Sequence, residues 1–116
     1  MMKRLLVVED SEKFRKMLVS VLKGYYDEIY ECSDGREVKS AYAKYMPDWV
    51  VMDVEMKDVD GLTATKTLKS EYPNAHVVIM TQLCDPELQF EAACAGAENF
   101  ISKENILELK NLMVKR

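Results

Sequence analysis

VVMDVEM, residues 50–56, begins as an apolar run, Val50-Val51-Met52, and stops on a carboxylate, Asp53. An apolar run of strand length suits a parallel strand covered on both faces. Asp is a common turn former, so Asp53 on its own either ends a strand or stands at a working site there. The sequence on both sides of it decides between the two.

Short apolar runs recur along the chain and alternate with helical patterns. LLVV (5–8), EIYEC (28–32), DWVVM (48–52), HVVIM (76–80) and ENFIS (98–102) are of strand length. SEKFRKMLVSVLKG (11–24) carries Phe14, Met17, Leu18, Val21 and Leu22 at helical spacing, and Gly24 is a plausible stop. DGREVKSAYAKY (34–45) places Val38, Ala41, Tyr42 and Tyr45 on one face. GLTATKTLKSEY (61–72) ends before Pro73. DPELQFEAACAG (85–96) opens with Asp85 as N-cap and Pro86 at the first helical position, and ENILELKNLMVKR closes the chain as a last helix. Strand–helix alternation, with the first, third and fourth strands almost wholly apolar, predicts an α/β fold. It is a doubly wound five-stranded parallel sheet with helices on both faces.

Length and composition fit that reading. The chain has 116 residues, which suits one domain over 1–116, and 48% hydrophobic and 31% charged residues. A net charge of -4, with no basic stripe, predicts no direct nucleic-acid partner. No apolar stretch approaches the roughly 18 residues of a membrane helix. The apolar segment at the N-terminus is only Leu5 to Val8, so no signal peptide or membrane partner is expected and the protein reads as cytoplasmic. Cys32, Cys84 and Cys94 are far apart and His76 is the lone histidine, which argues against zinc and for reduced thiols. His76, at a strand entrance, reads as a solvated or hydrogen-bonded imidazole.

In a doubly wound sheet the ligand crevice lies outside the carboxyl ends of the strands. The first strand ends in Glu9-Asp10, the third in Asp53, the fourth in Thr81, and the fifth runs into Lys103. Any of these polar residues could end a strand by itself, but together they have a specific chemistry. Three crowded carboxylates repel and call for a cation, and oxygen ligands without His or Cys suit Mg2+. Thr81 adds a hydroxyl donor and Lys103 a point charge. Such a set suits a phosphoryl group taken by a carboxylate nucleophile, with catalysis by positioning and charge neutralisation.

The pieces VVED, VVMD, the Asp60-Gly61 pair, IMT and GAENFISK together resemble the receiver domain of two-component response regulators, of the chemotaxis-regulator kind, over essentially the whole chain. The resemblance implies a flavodoxin-like fold with Asp53 as phosphoacceptor. It implies that Asp10 and Asp53 bind magnesium directly, together with the backbone carbonyl of Glu55, and that Glu9 holds the ion through water. Thr81 and Lys103 then bind the phosphoryl oxygens. Phe100 is the switch aromatic, turning inward when Thr81 is drawn to the phosphoryl group, and Asp60-Gly61 opens the third helix. The implied donor is a sensor histidine kinase or phosphotransfer protein docking near the first helix. The implied recipient is a downstream protein, or an output domain cut away from this chain. It is engaged through the fourth helix, fifth strand and fifth helix.

Three positions depart from the family pattern. Met56-Lys57 replaces Met-Pro. Glu104 replaces a proline whose peptide bond is commonly cis, so a trans bond or a locally altered loop is expected. Gln82 replaces a small residue and could lean over Asp53 as a gate to donor and water. Two other functions use the same residues. One is a degenerate receiver that binds partners without phosphorylation, against which the intact acid, hydroxyl and lysine set argues. The other is an aspartate-nucleophile phosphatase, an enzyme that typically carries a second Asp where Glu55 stands, and a cap insertion that this chain lacks.

Overall fold

The computed structural model describes residues 2–56, 58–82 and 85–114, with side chains as far as Asn111. Its strands are β1 (Arg4–Val8), β2 (Glu28–Cys32), β3 (Trp49–Asp53), β4 (Val77–Thr81) and β5 (Asn99–Ser102). Its helices are α1 (Glu12–Leu22), α2 (Val38–Tyr45), α3 (Gly61–Glu71), α4 (Pro86–Ala95) and α5 (Ile106–Val114). Among the described residues the strands form one parallel sheet in the order β2-β1-β3-β4-β5. The expected doubly wound α/β fold is the observed one.

The two-residue period of a strand divides the apolar residues between two faces. Leu6, Val8, Val50, Met52, Val77 and Ile79 pack with Val38 and Tyr42 of α2, Ala64 and Leu68 of α3 and Ala92 of α4. Leu5, Val7, Trp49, Val51, Val78, Met80 and Ile101 pack with Leu18 and Leu22 of α1 and Leu109 of α5. All residues of β3 and β4 are buried, which is why these segments read as unbroken apolar runs. No described helix is long and apolar enough to cross a membrane.

The helix starts follow their side chains. Ser11, Asp60 and Asp85 each accept a backbone N–H from the residue three positions on, and Pro86 occupies the first turn of α4. The helix ends differ more from expectation. α1 stops at Leu22, short of Gly24, which is not left-handed; among the described residues the positive φ angles belong to Met46 (47°) and Gly96 (107°). Pro47 disfavours a right-handed helical conformation at Met46, so α2 ends there. The 34–45 segment divides into a 3-10 turn, Gly35–Glu37, and α2. A second 3-10 turn, Lys103–Asn105, precedes α5. No described peptide bond is cis, so the chain passes from Lys103 to Glu104 in trans within that turn.

Buried Cys32 and exposed Cys94 are free thiols, and burial first of all pushes the Cys32 thiol up to about 12. Cys84 lies outside the described residues, as does Lys57. His76 is hydrogen-bonded: its Nδ1 meets Glu98 Oε1, and its ring lies 5.1 Å from that of Trp49.

Candidate functional site

From β1 the sheet is wound toward β2 in one direction, and from β3 toward β4 and β5 in the other. The crevice therefore opens at the carboxyl ends of β1 and β3, where Glu9 and Asp53 sit. Asp53, the last residue of β3, is 2% exposed, and Glu9, just past β1, is 1% exposed. Lys103 Nζ, past the end of β5, lies 2.9 Å from Glu9 Oε1 and 3.1 Å from Asp53 Oδ1. Both are ion pairs, and Asp53 Oδ2 has no hydrogen-bond partner. Glu9 Oε2 accepts the N–H of Ser11 at 3.1 Å. With Asp10, more open to solvent, the carboxylates of Glu9 and Asp53 offer oxygens within 4.8 Å of one another, the one such cluster among the described residues.

Two buried acids thus share one ammonium. Burial, and then the neighbouring charge of Glu9, push Asp53 up to about 7, although Lys103 pulls the other way. Burial also opposes the charged form of Lys103, but Glu9 and Asp53 outweigh it and hold the ammonium above its usual range. The crevice is short of positive charge. Oxygen-only ligands, a buried carboxylate oxygen with no partner and an unbalanced negative charge fit a hard divalent cation such as Mg2+.

Thr81, at the end of β4, is fully buried, and its hydroxyl donates to Glu55 Oε2 at 2.6 Å. Glu55 Oε1 accepts the backbone N–H of Gln82 at 3.3 Å. The Glu55 side chain therefore spans the loops after β3 and β4, a contact that sequence spacing did not reveal because it joins residues 26 positions apart. Gln82 itself is exposed. Phe100 is half-buried against the α2–α3–α4 layer. Asp60 caps α3, its Oδ1 accepting from Thr63 N–H at 2.8 Å. Gly61 lies so close to β3 that a Cβ there would stand 2.0 Å from the carbonyl oxygen of Asp53.

Residues of α1 join the site as well. Arg15 donates through Nη1 to the Glu9 carbonyl at 2.8 Å and through Nε to Glu31 at 2.9 Å, pinning the β1–α1 loop to β2. Phe14 packs against the core, half-buried, and Lys103 Nζ lies 4.6 Å from the centre of its ring.

Residues 5–114 match the sequence model of the response regulator receiver domain. The chain is 35% identical over 103 residues to the chemotaxis protein CheY of Halobacterium salinarum, spanning 89% of this chain and 86% of that one. It is 33% identical over 115 residues to the regulatory protein AtoC of Escherichia coli, spanning 97% of this chain and 24% of that longer protein. Among solved structures, the CheX–CheY–BeF3–Mg complex of Borrelia burgdorferi superimposes with a TM-score of 0.88 at 25% identity, over 94% of this chain and 84% of that one.

Proposed function

This chain belongs to the response regulator receiver domain family, and we propose that it takes a phosphoryl group onto Asp53 from the phosphohistidine of a kinase or phosphotransfer protein. The observation that carries this reading is the buried Asp53 carboxylate. It stands at the tip of β3 beside Glu9 and Lys103, with Oδ2 free of any hydrogen bond.

A carboxylate oxygen of Asp53 attacks phosphorus, forming an O–P bond while the N–P bond of the donor breaks. The attack needs Asp53 deprotonated. Without a cation, burial and Glu9 push its carboxyl up to about 7, and a cation bound there would favour the charged form. Asp10, Asp53 and the Glu55 backbone carbonyl would hold magnesium directly and Glu9 through water, and the ion when bound supplies the positive charge that the crevice lacks. Lys103 Nζ, already between Glu9 and Asp53, has an N–H to offer a phosphoryl oxygen. The Thr81 hydroxyl receives another phosphoryl oxygen by leaving Glu55 Oε2, and Phe100 turns into the space that Thr81 vacates.

The domain is a signalling module, and the reactions proposed for it are its own phosphorylation and dephosphorylation. The changed surface lies on α4, β5 and α5, where Phe90 and Leu107 stand 69% and 68% exposed. Docking of the donor near α1 finds Met17 exposed.

Incubation with phosphoramidate and magnesium is expected to place one acid-labile phosphate on the parent protein and none on Asp53→Asn, as read by intact mass. Stoichiometric phosphate on the variant removes Asp53 from the acceptor role.

A further inference from the structure

We propose that Phe14 is a positioning residue for Lys103, its ring face holding the ammonium in line with the phosphoryl site without occupying one of its N–H groups. The inference rests on the acceptor reading of Asp53. An ammonium has three donors and no preferred direction of its own. Its Nζ is ion-paired with Glu9 Oε1 and Asp53 Oδ1, at 2.9 and 3.1 Å. An acceptor side chain at position 14 would capture one of its N–H groups. An aromatic face attracts the cation through its quadrupole and accepts no conventional hydrogen bond, and 4.6 Å to the ring centre is within the roughly 6 Å over which this attraction acts. The Lys103 side chain is only 11% exposed, so water screens the contact little.

The ring is held by the same groups that it serves. Glu9 Oε2 accepts the N–H of Ser11, and Ser11 Oγ accepts the N–H of Phe14 at 3.3 Å, starting α1. The Phe14 ring faces Lys103, and Lys103 returns to Glu9 Oε1. These contacts form a closed circuit, Glu9–Ser11–Phe14–Lys103–Glu9, anchored on a fully buried carboxylate.

The test replaces Phe14 with 4-fluoro-, 3,5-difluoro- and 3,4,5-trifluorophenylalanine, which drain the ring face of electron density while keeping its shape and apolar character. With phosphoramidate and magnesium, the phosphorylation rate is expected to fall stepwise, reaching about tenfold at the trifluoro ring, which is about 1.4 kcal/mol. Thermal stability should change little, and Phe14→Tyr should retain the parent rate within about twofold. A ring that serves only as core packing predicts a flat series, and a flat series in an active parent overturns the role of Phe14 alone. A parent protein that takes no phosphate on Asp53 overturns the acceptor reading and this inference together.

Discussion

The two edges of the sheet treat their acids in opposite ways. At the amino edge, Asp27 Oδ2 accepts the N–H of Lys3 at 2.7 Å, and Asp48 Oδ2 that of Arg4 at 2.8 Å. Glu28 pairs with Arg4 at 2.8 Å, and Glu98 meets His76. These groups are near water, and each acid has a donor. At the carboxyl edge, Glu9 and Asp53 are buried together around one lysine, and Asp53 Oδ2 has no donor. The amino edge is finished within the chain, whereas the carboxyl edge leaves a buried carboxylate oxygen without a donor. Unsatisfied charge retained in a folded protein is a cost, and here it falls where an incoming cation and phosphoryl group would relieve it.

The contrast is most exposed to test in stability without metal. The Asp53 carboxyl sits near 3.8 in the unfolded chain and at about 7 in the folded one. Between these values the folded state holds a proton that the unfolded state has released. Stability therefore falls as pH rises from about 4 to about 7, and the deficit is complete above about 7. Asp53→Asn should recover about 1–4 kcal/mol at pH 8 in chelator and nothing at pH 4, measured by urea unfolding. Asp48→Ala, at the amino edge, should go the other way and lose about 0.5–1.5 kcal/mol, because it strips the acceptor from Arg4 N–H. Two variants shifting in the same direction at pH 8 would erase the distinction between the edges.

Within the carboxyl edge the acids divide again, by depth. Asp10→Ala should weaken magnesium binding by more than about tenfold and Glu9→Gln by less, since Asp10 is assigned direct ligation and Glu9 contact through water. Calorimetric titration giving the reverse order would exchange those roles. The smallest expected change is at the rim, where Gln82 is exposed beside Thr81. A side chain crowding the in-line path slows both donor and water, so Gln82→Ala should speed phosphorylation and phosphate loss by up to about tenfold each, about 1.4 kcal/mol per barrier. Unchanged rates for both steps would make Gln82 a surface residue and leave the path open in the parent.

The strands were legible because β3 and β4 are buried on both faces and leave continuous apolar runs, and their carboxyl ends followed from parallel topology alone. That is why Glu9, Asp53, Thr81 and Lys103 could be grouped before any distance was known. Contacts that depend on side-chain rotamers across separate elements were not legible. Nothing in the spacing of Glu55 and Thr81, or of Phe14 and Lys103, shows that they meet, since a strand order and a helix position must both be fixed first. Helix ends were also poorly legible. α1 ends just ahead of Gly24 without the left-handed backbone that a glycine stop usually takes, while Met46, which no propensity marks for left-handed backbone, takes that conformation ahead of Pro47.

Gly61 determines how motion can leave this crevice. No side chain larger than hydrogen fits between the first turn of α3 and the carbonyl of Asp53, and Gly61 N–H is bonded to the Val54 carbonyl at 3.0 Å. The peptide that follows the acceptor and the start of α3 are thus a joint without play. A shift of the Asp53 backbone would press directly on the first turn of α3, a helix whose far end is tied through Lys69 Nζ to the carbonyls of Pro73 and Ala75 before β4. In mechanical language, the first turn of α3 is seated directly on Asp53, and a single added methyl at Gly61 would act as a wedge in its socket.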